Sequence, residues 1–171
     1  MSFPDAELPK LKPVLFFDLD AAEPEPIFEN ESKSFTKVAV TGGSIRSVDA
    51  SFPFESKVID GYDNISFSQA QPGIGSLDCV LYLDLGSGVK GLVSYGGVVR
   101  LEGTTLQVVS KEKSHMGFSD GYVTCRPKFD LDSKSSKESW VNRHNFIGKG
   151  RFIRTDKGGL KVQYYVYTFD E

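Results

Sequence analysis

The chain breaks every few residues into short, β-prone apolar runs, and no stretch between them is long or periodic enough to serve as a crossover helix between parallel strands. Runs at 13–19, 35–41, 44–49, 55–60, 64–68, 77–85, 90–95, 97–101, 105–110, 121–129, 140–154 and 160–169 read as strands, separated by Gly, Asp, Asn, Ser or Pro clusters. The acidic stretch AAEPEPIFENES reads as a long loop, and Ser133 to Ser139 as one polar helical turn. Antiparallel pairing follows. Many strands without helices to cover a sheet face leave edges that must be closed or doubled. The expected fold is therefore all-β, a single closed antiparallel barrel of roughly lipocalin-like size. Its clearest hairpin joins the long 140–154 run to 160–169 through Thr155-Asp156-Lys157-Gly158-Gly159.

The 171 residues read as one domain, 1–171, with residues 1–12 a loose N-terminal segment. The 13 Phe and 7 Tyr agree with strands. A net charge of −3 argues against a phosphate backbone as partner. The N-terminus lacks the charged and apolar regions of a secretory signal, and no window offers the roughly 18 apolar residues of a membrane span. A cytoplasmic protein is expected, with no nucleic-acid or membrane partner, a small molecule as ligand, and homo-oligomerisation left open. Cys79 and Cys125 sit in strand-like runs, as reduced thiols do. The Asn30 and Asn64 sequons read as chance matches.

Two motifs resemble chemistry without its context. Gly86-Ser87-Gly88-Val89-Lys90-Gly91 fits a dinucleotide fingerprint, but another strand follows instead of a helix, so it reads as a hairpin loop. Gly117-Phe118-Ser119-Asp120-Gly121 fits a nucleophile elbow, with Asp130 and His144 following in order. A polar loop precedes it and a strand follows, so Ser119 reads as a turn residue. His115 reads as a solvated loop residue, and neither histidine has a ligand partner at zinc spacing. No metal and no cofactor are expected.

If 140–151 is one strand, Trp140, Asn142, His144, Phe146 and Gly148 share a face, and Val141, Arg143, Asn145, Ile147, Lys149 and Arg151 share the other. Three cations mark the second face as outer. The first then carries two aromatic rings, an amide and an imidazole, either a small-molecule pocket or a packed interior with satisfied polar groups. Asp63, between a glycine turn and a returning strand, is either an ordinary turn residue or an acid aimed into an apolar lumen. In the lumen, burial would raise its pKa into a useful range. Arg126 is either a partner for a ligand anion or half of an outward ion pair.

Thr41-Gly42-Gly43-Ser44-Ile45, Asp60-Gly61-Tyr62-Asp63, Tyr122 through Pro127-Lys128-Phe129-Asp130, Trp140-Val141-Asn142-Arg143, Phe146-Ile147-Gly148-Lys149-Gly150-Arg151 and Val162 to Thr168 resemble, in order and spacing, the DUF3237 (UPF0311) family of small β-barrels. The resemblance covers about residues 13–169. Where the family has Gly-Gly-x-Asp-Trp, this chain has Asp60 for the first glycine and Asn64 for the tryptophan, and keeps Asp63. It implies an antiparallel barrel and no particular reaction.

The residues then suggest a barrel that binds a partly apolar, aromatic or polyketide-like carbonyl compound and acts on it without a cofactor, as an isomerase, cyclase or lyase. Asp63 would move the proton. Asn142 and His144 would hydrogen-bond the carbonyl or enolate, Arg126 would pair a charge, and Trp140 and Phe146 would shape the cavity. The alternatives are a non-catalytic carrier or sensor of a hydrophobic ligand, and a filled barrel serving as an oligomerisation or interaction module.

Overall fold

The computed structural model describes residues 2–170. Its elements are β1 (Leu11–Ala21), β2 (Glu25–Glu29), β3 (Lys33–Lys37), β4 (Ala39–Ser47), β5 (Glu55–Ser68), β6 (Gln71–Gly86), β7 (Val89–Arg100), helix α1 (Gly103–Val109), β8 (Thr124–Leu131), a 3-10 turn (Ser139–Arg143), β9 (Ile147–Arg154) and β10 (Leu160–Phe169). Eight strands close in the order β5, β4, β1, β10, β9, β8, β7, β6, with β6 returning to β5. All pairings are antiparallel. The fold is the expected all-β closed barrel. Residues 2–10 carry no strand or helix, and no described helix is long and apolar enough to cross a membrane.

Along the barrel strands, alternate residues point inward. Leu77, Cys79, Leu81 and Leu83 of β6, like Val93, Tyr95 and Val99 of β7, are buried. The β6–β7 connection is a tight turn in which Gly86, Ser87 and Gly88 all have positive φ, with Gly86 paired to Val89, so the glycine pattern there is a hairpin. Ser119 likewise lies in a turn, closed by the Asp120 carboxylate accepting the Gly117 N–H at 2.7 Å. His115 is exposed. Cys79 and Cys125 are free and buried.

Several local readings are corrected. The AAEPEPIFENES stretch is not a plain loop, because β2 and β3 form a hairpin closed by Asn30, whose side-chain oxygen accepts the N–H groups of Ser32 and Lys33. That hairpin extends the sheet from β5 through the pairing of β3 with Ile65–Ser68, and leaves β2 as an edge. The runs 55–60 and 64–68 are one strand, as are 90–95 and 97–101. Residues 105–110 are largely helical rather than extended. Thr105 and Val108, three apart, form the buried face of α1, and Arg154 donates to the carbonyls of Val108 at 3.1 Å and Val109 at 2.6 Å. A cation from β9 thus satisfies the helix end, an outcome decided by tertiary contact.

The largest correction concerns 140–154. Only Ile147–Arg154 is strand, and the helical turn expected at Ser133–Ser139 falls at Ser139–Arg143 instead. β8 pairs with β9 at only Thr124–Lys149 and Cys125–Gly148, so the sheet parts beyond them. The segment carrying Trp140 tucks in at that end of the barrel.

Candidate active site in the barrel lumen

The placement of Asp63 depends on one extra residue in β5. Ser56 and Val58 point inward, and simple alternation would send Asp60 inward and Asp63 outward. The pairing with β6 slips between Val58 and Asp60, leaving Ile59 as a bulge and reversing the phase of everything after it. Ile59 and Asp60 are consecutively exposed, and Asp63 is 5% exposed. Gly61 permits the adjoining close approach, since a β-carbon there would overlap the Val80 carbonyl oxygen. The glycine turn expected before Asp63 is this bulge within a continuous strand.

Once inward, Asp63 lies in a cross-strand row. It stands opposite Cys79 on β6, and Cys79 stands opposite Tyr95 on β7. The Cys79 thiol donates to Asp63 Oδ1 at 2.7 Å and the Tyr95 hydroxyl donates to Oδ2 at 3.1 Å. Burial raises the Asp63 pKa above the ordinary carboxylate value, while both hydrogen bonds pull it down. Burial also raises the Cys79 and Tyr95 pKa values, and the Asp63 charge adds to it, so these two groups remain neutral donors. Sequence reasoning missed Cys79 and Tyr95. The alternation of β6 and β7 shows both facing in, but strand order and register were needed to bring them to Asp63.

Above the row lies a cavity of about 200 Å³. Val38, Ile65, Leu77, Val99 and Val162 form its walls, and Pro24, Val109 and Phe152 close around its outer end. Asp63 is its one ionisable lining side chain among the described residues. An apolar chamber with one carboxyl group at its inner end is a site for proton transfer to or from a bound molecule.

Tyr164 of β10 shares this middle layer. Its ring centroid is 5.9 Å from that of Tyr95, it is wholly buried, and its hydroxyl has no hydrogen-bond partner among the described residues. Gly150 of β9 makes the room for it, and Gly148 makes room for the neighbouring Cys125. A β-carbon on Gly150 would strike the Tyr164 ring, and one on Gly148 would overlap the Cys125 sulfur. Burial, followed by the Asp63 charge, raises the Tyr164 pKa well above the usual phenol value.

The other residues singled out in the sequence lie elsewhere. Trp140 and Phe146 are buried at the opposite end, packed edge to face with centroids 5.8 Å apart, and the Trp140 indole N–H donates to the Pro53 carbonyl at 2.8 Å. His144 is half-buried there, with Nδ1 2.9 Å from the Trp140 carbonyl oxygen. Asn142 is exposed on the 3-10 turn, and Val141, expected outside, is buried. Of the inward face expected of a strand at 140–148, Trp140, Phe146 and Gly148 are buried, but Asn142 is not, because residues 139–143 form a 3-10 turn, which does not alternate. Arg126 is exposed on the outer face of β8. None of Trp140, Asn142, His144, Phe146 and Arg126 lines the chamber at Asp63.

Comparison with known proteins agrees with this architecture. The family model described as "Protein of unknown function (DUF3237)" matches residues 9–169. A conserved protein of unknown function from Rhodopseudomonas palustris superposes with a TM-score of 0.72 at 14% identity, over 97% of this chain and 100% of that one. A beta-barrel like protein from Acinetobacter baumannii gives 0.66 at 18% identity, over 97% and 99%. A protein from Penicillium herquei described as an enzyme gives 0.62 at 13% identity, over 99% and 100%. Among curated proteins none matches the sequence. At these identities the structural likeness is one of fold.

Proposed function

The chain belongs to the DUF3237 family, and we propose that it binds a partly apolar carbonyl compound in the barrel and moves a proton on it through Asp63, as a cofactor-independent isomerase, cyclase or lyase. The observation that carries this reading is the isolation of Asp63 as the one ionisable side chain, among the described residues, facing an otherwise apolar chamber. A carboxyl group whose pKa burial has raised is a stronger base when ionised, and changes protonation closer to neutrality than an exposed aspartate. The Cys79 and Tyr95 hydrogen bonds hold both oxygens in fixed directions. A C–H proton beside the bound carbonyl passes to Asp63 while its electron pair moves toward the carbonyl oxygen. Return of that proton to another carbon completes an isomerisation, and loss of a leaving group with the electron pair completes an elimination. The aromatic or polyketide-like character suggested by the sequence suits the apolar walls. The neighbour from Penicillium herquei, described as an enzyme, is in keeping with a catalytic barrel.

Acetophenone dissolved in heavy water tests the proposal. The wild-type protein is expected to speed deuterium exchange at the methyl group, followed by NMR. Asp63→Asn is expected to bind the ketone within a few-fold and exchange it at least ~100-fold more slowly, the lower range for loss of a general base. Equal exchange rates in the two proteins would remove Asp63 from the chemistry. The carrier reading draws on a different observation, that both Asp63 oxygens already have protein donors, as in a structural buried acid. Binding with no exchange above the solvent background would favour it.

A further inference from the structure

The chamber at Asp63 does not end at the barrel rim. Pro26, Thr36, Phe67 and Leu101 line it and also line a second concavity outside, of about 510 Å³, formed by the β2–β3 hairpin, the β5–β6 turn with its flanking residues, and Leu101 after β7. The inner chamber alone, about 200 Å³, falls below the roughly 300–1,000 Å³ of pockets that bury a drug-sized molecule. With the outer groove the space is ample.

The groove has a definite chemistry. Ile27, Phe28, Phe35 and Pro72 add apolar surface beyond the shared walls. The Phe28 and Phe35 rings are stacked nearly parallel, 5° between planes with centroids 5.6 Å apart, and Phe28 is 43% exposed while Ile27 is 51% exposed. Exposed large apolar side chains beside a cavity mouth mark a binding surface more often than scattered ones do. Glu29 is the one charged lining side chain of the groove, held at 2.9 Å by the Gln69 amide, and no lysine or arginine lines either concavity among the described residues. An anionic ligand would meet Glu29, with Lys33 placed over the Phe28 ring, 6.0 Å from its centroid, rather than among the lining side chains, and a neutral apolar one would find walls throughout.

We propose that the substrate is an elongated, neutral, largely apolar carbonyl compound. Its reacting end enters the chamber and stops at Asp63, and its body lies in the outer groove against the β2–β3 hairpin. This rests on the reading of Asp63 as the proton carrier. The shared walls are the argument for a single occupant, since a molecule held at Asp63 and longer than the chamber has its remainder at Pro26, Thr36, Phe67 and Leu101, and so in the groove.

Dissociation constants of straight-chain alkyl phenyl ketones, from acetophenone to octanophenone, test the inference by calorimetry. Affinity is expected to keep rising after the inner chamber is full, by about two- to fourfold for each methylene laid in the groove, the factor that burial of a methylene carries. Phe28→Ser is expected to flatten that rise while acetophenone binds as before. Ile27→Asp, on an exposed position of the same hairpin, is expected to do the same, and guards against a Phe28 variant whose hairpin fails to form. An octanoic acid derivative bearing the phenyl ketone at its far end is expected to bind more weakly than octanophenone. A plateau at the shortest ketones, or long-chain affinities unchanged in both hairpin variants, would overturn the groove as the ligand's second half. A change of oligomeric mass in those variants with ketone affinities intact would overturn it too, and assign the hairpin to contacts with a second copy. If the short ketones bind and exchange through Asp63 but chain length has no effect, only this inference fails. If no ketone binds at any length, the proposed function fails with it.

Discussion

At one end of the barrel, Phe52, Phe54, Phe129, Trp140, His144 and Phe146 pack against one another, with neighbouring ring centroids 5.0 to 5.8 Å apart along most of the cluster. At the other end, aliphatic side chains from β5, β6, β7 and β10 stand back from the axis, and the space between them stays open down to Asp63. The two ends are built from the same alternating strands. What differs is how many large rings are delivered to each. The 48–54 connection and the segment between β8 and β9 bring Phe52, Phe54, Trp140 and Phe146 to the first, while the second receives mostly aliphatic side chains and prolines, with Phe67 and Phe152 at its lining. A closed barrel of eight strands has room either to be filled by side chains or to hold one small ligand. This one is filled at one end and keeps a cavity at the other, with the polar layer of Asp63, Cys79, Tyr95 and Tyr164 between them. The contrast suggests a division of labour in which one end supplies stability and the other binding.

That division can be broken most directly at Trp140. Trp140→Ala is expected to destabilise the fold by about 3–5 kcal/mol, the usual loss for a large buried aromatic, as measured by urea unfolding. Acetophenone affinity at the far end should stay within about twofold, as expected for well-separated sites. A large loss of binding in protein that remains folded would show the ends to be one unit.

The middle layer should respond in the opposite sense. Tyr164→Phe deletes a buried hydroxyl that has no partner among the described residues, so stability is expected to rise by about 1 kcal/mol. A fall in the urea midpoint would show that the hydroxyl is bonded and would move Tyr164 from packing to the polar network.

The smallest effect is a change of slope with pH at Asp63. Because burial raises its pKa in the folded state, the folded protein binds more protons than the unfolded chain once pH passes the unfolded value of about 3.9. Over that window Asp63 makes stability fall as pH rises, until the folded-state pKa is passed. Asp63→Asn removes this slope, so the variant should gain on the wild type in urea midpoint as pH is raised from 4 toward 8. A variant that keeps a constant offset from the wild type, or falls further behind it as pH rises, would mean that the Cys79 and Tyr95 hydrogen bonds balance or outweigh desolvation.

Much of this architecture could be read from the chain alone. Short β-prone runs with turn residues between them, and too little helix to cover a sheet, left closure as the economical way to dispose of edges, and the β9–β10 hairpin and the Gly86–Gly88 turn lie where their local chemistry puts them. Asp63 was legible as a residue to watch, though not its partners. Three things were decided only in the folded molecule. The bulge at Ile59 reversed the facing of Asp63, and its cause is the fit of β5 to β6, where Val58 meets Leu83 and Asp60 meets Tyr82. The 105–110 run became helical because Arg154 caps it from another strand. The 140–146 segment left the sheet as Trp140 packed on Phe52 and donated to the Pro53 carbonyl at the barrel end, and with it Asn142 and His144 left the side of Asp63. In each case the deciding interaction joins residues far apart in sequence. Alternation and turn chemistry act between near neighbours, so they determine the kind of fold; register and packing act across it, so they determine which side chains meet.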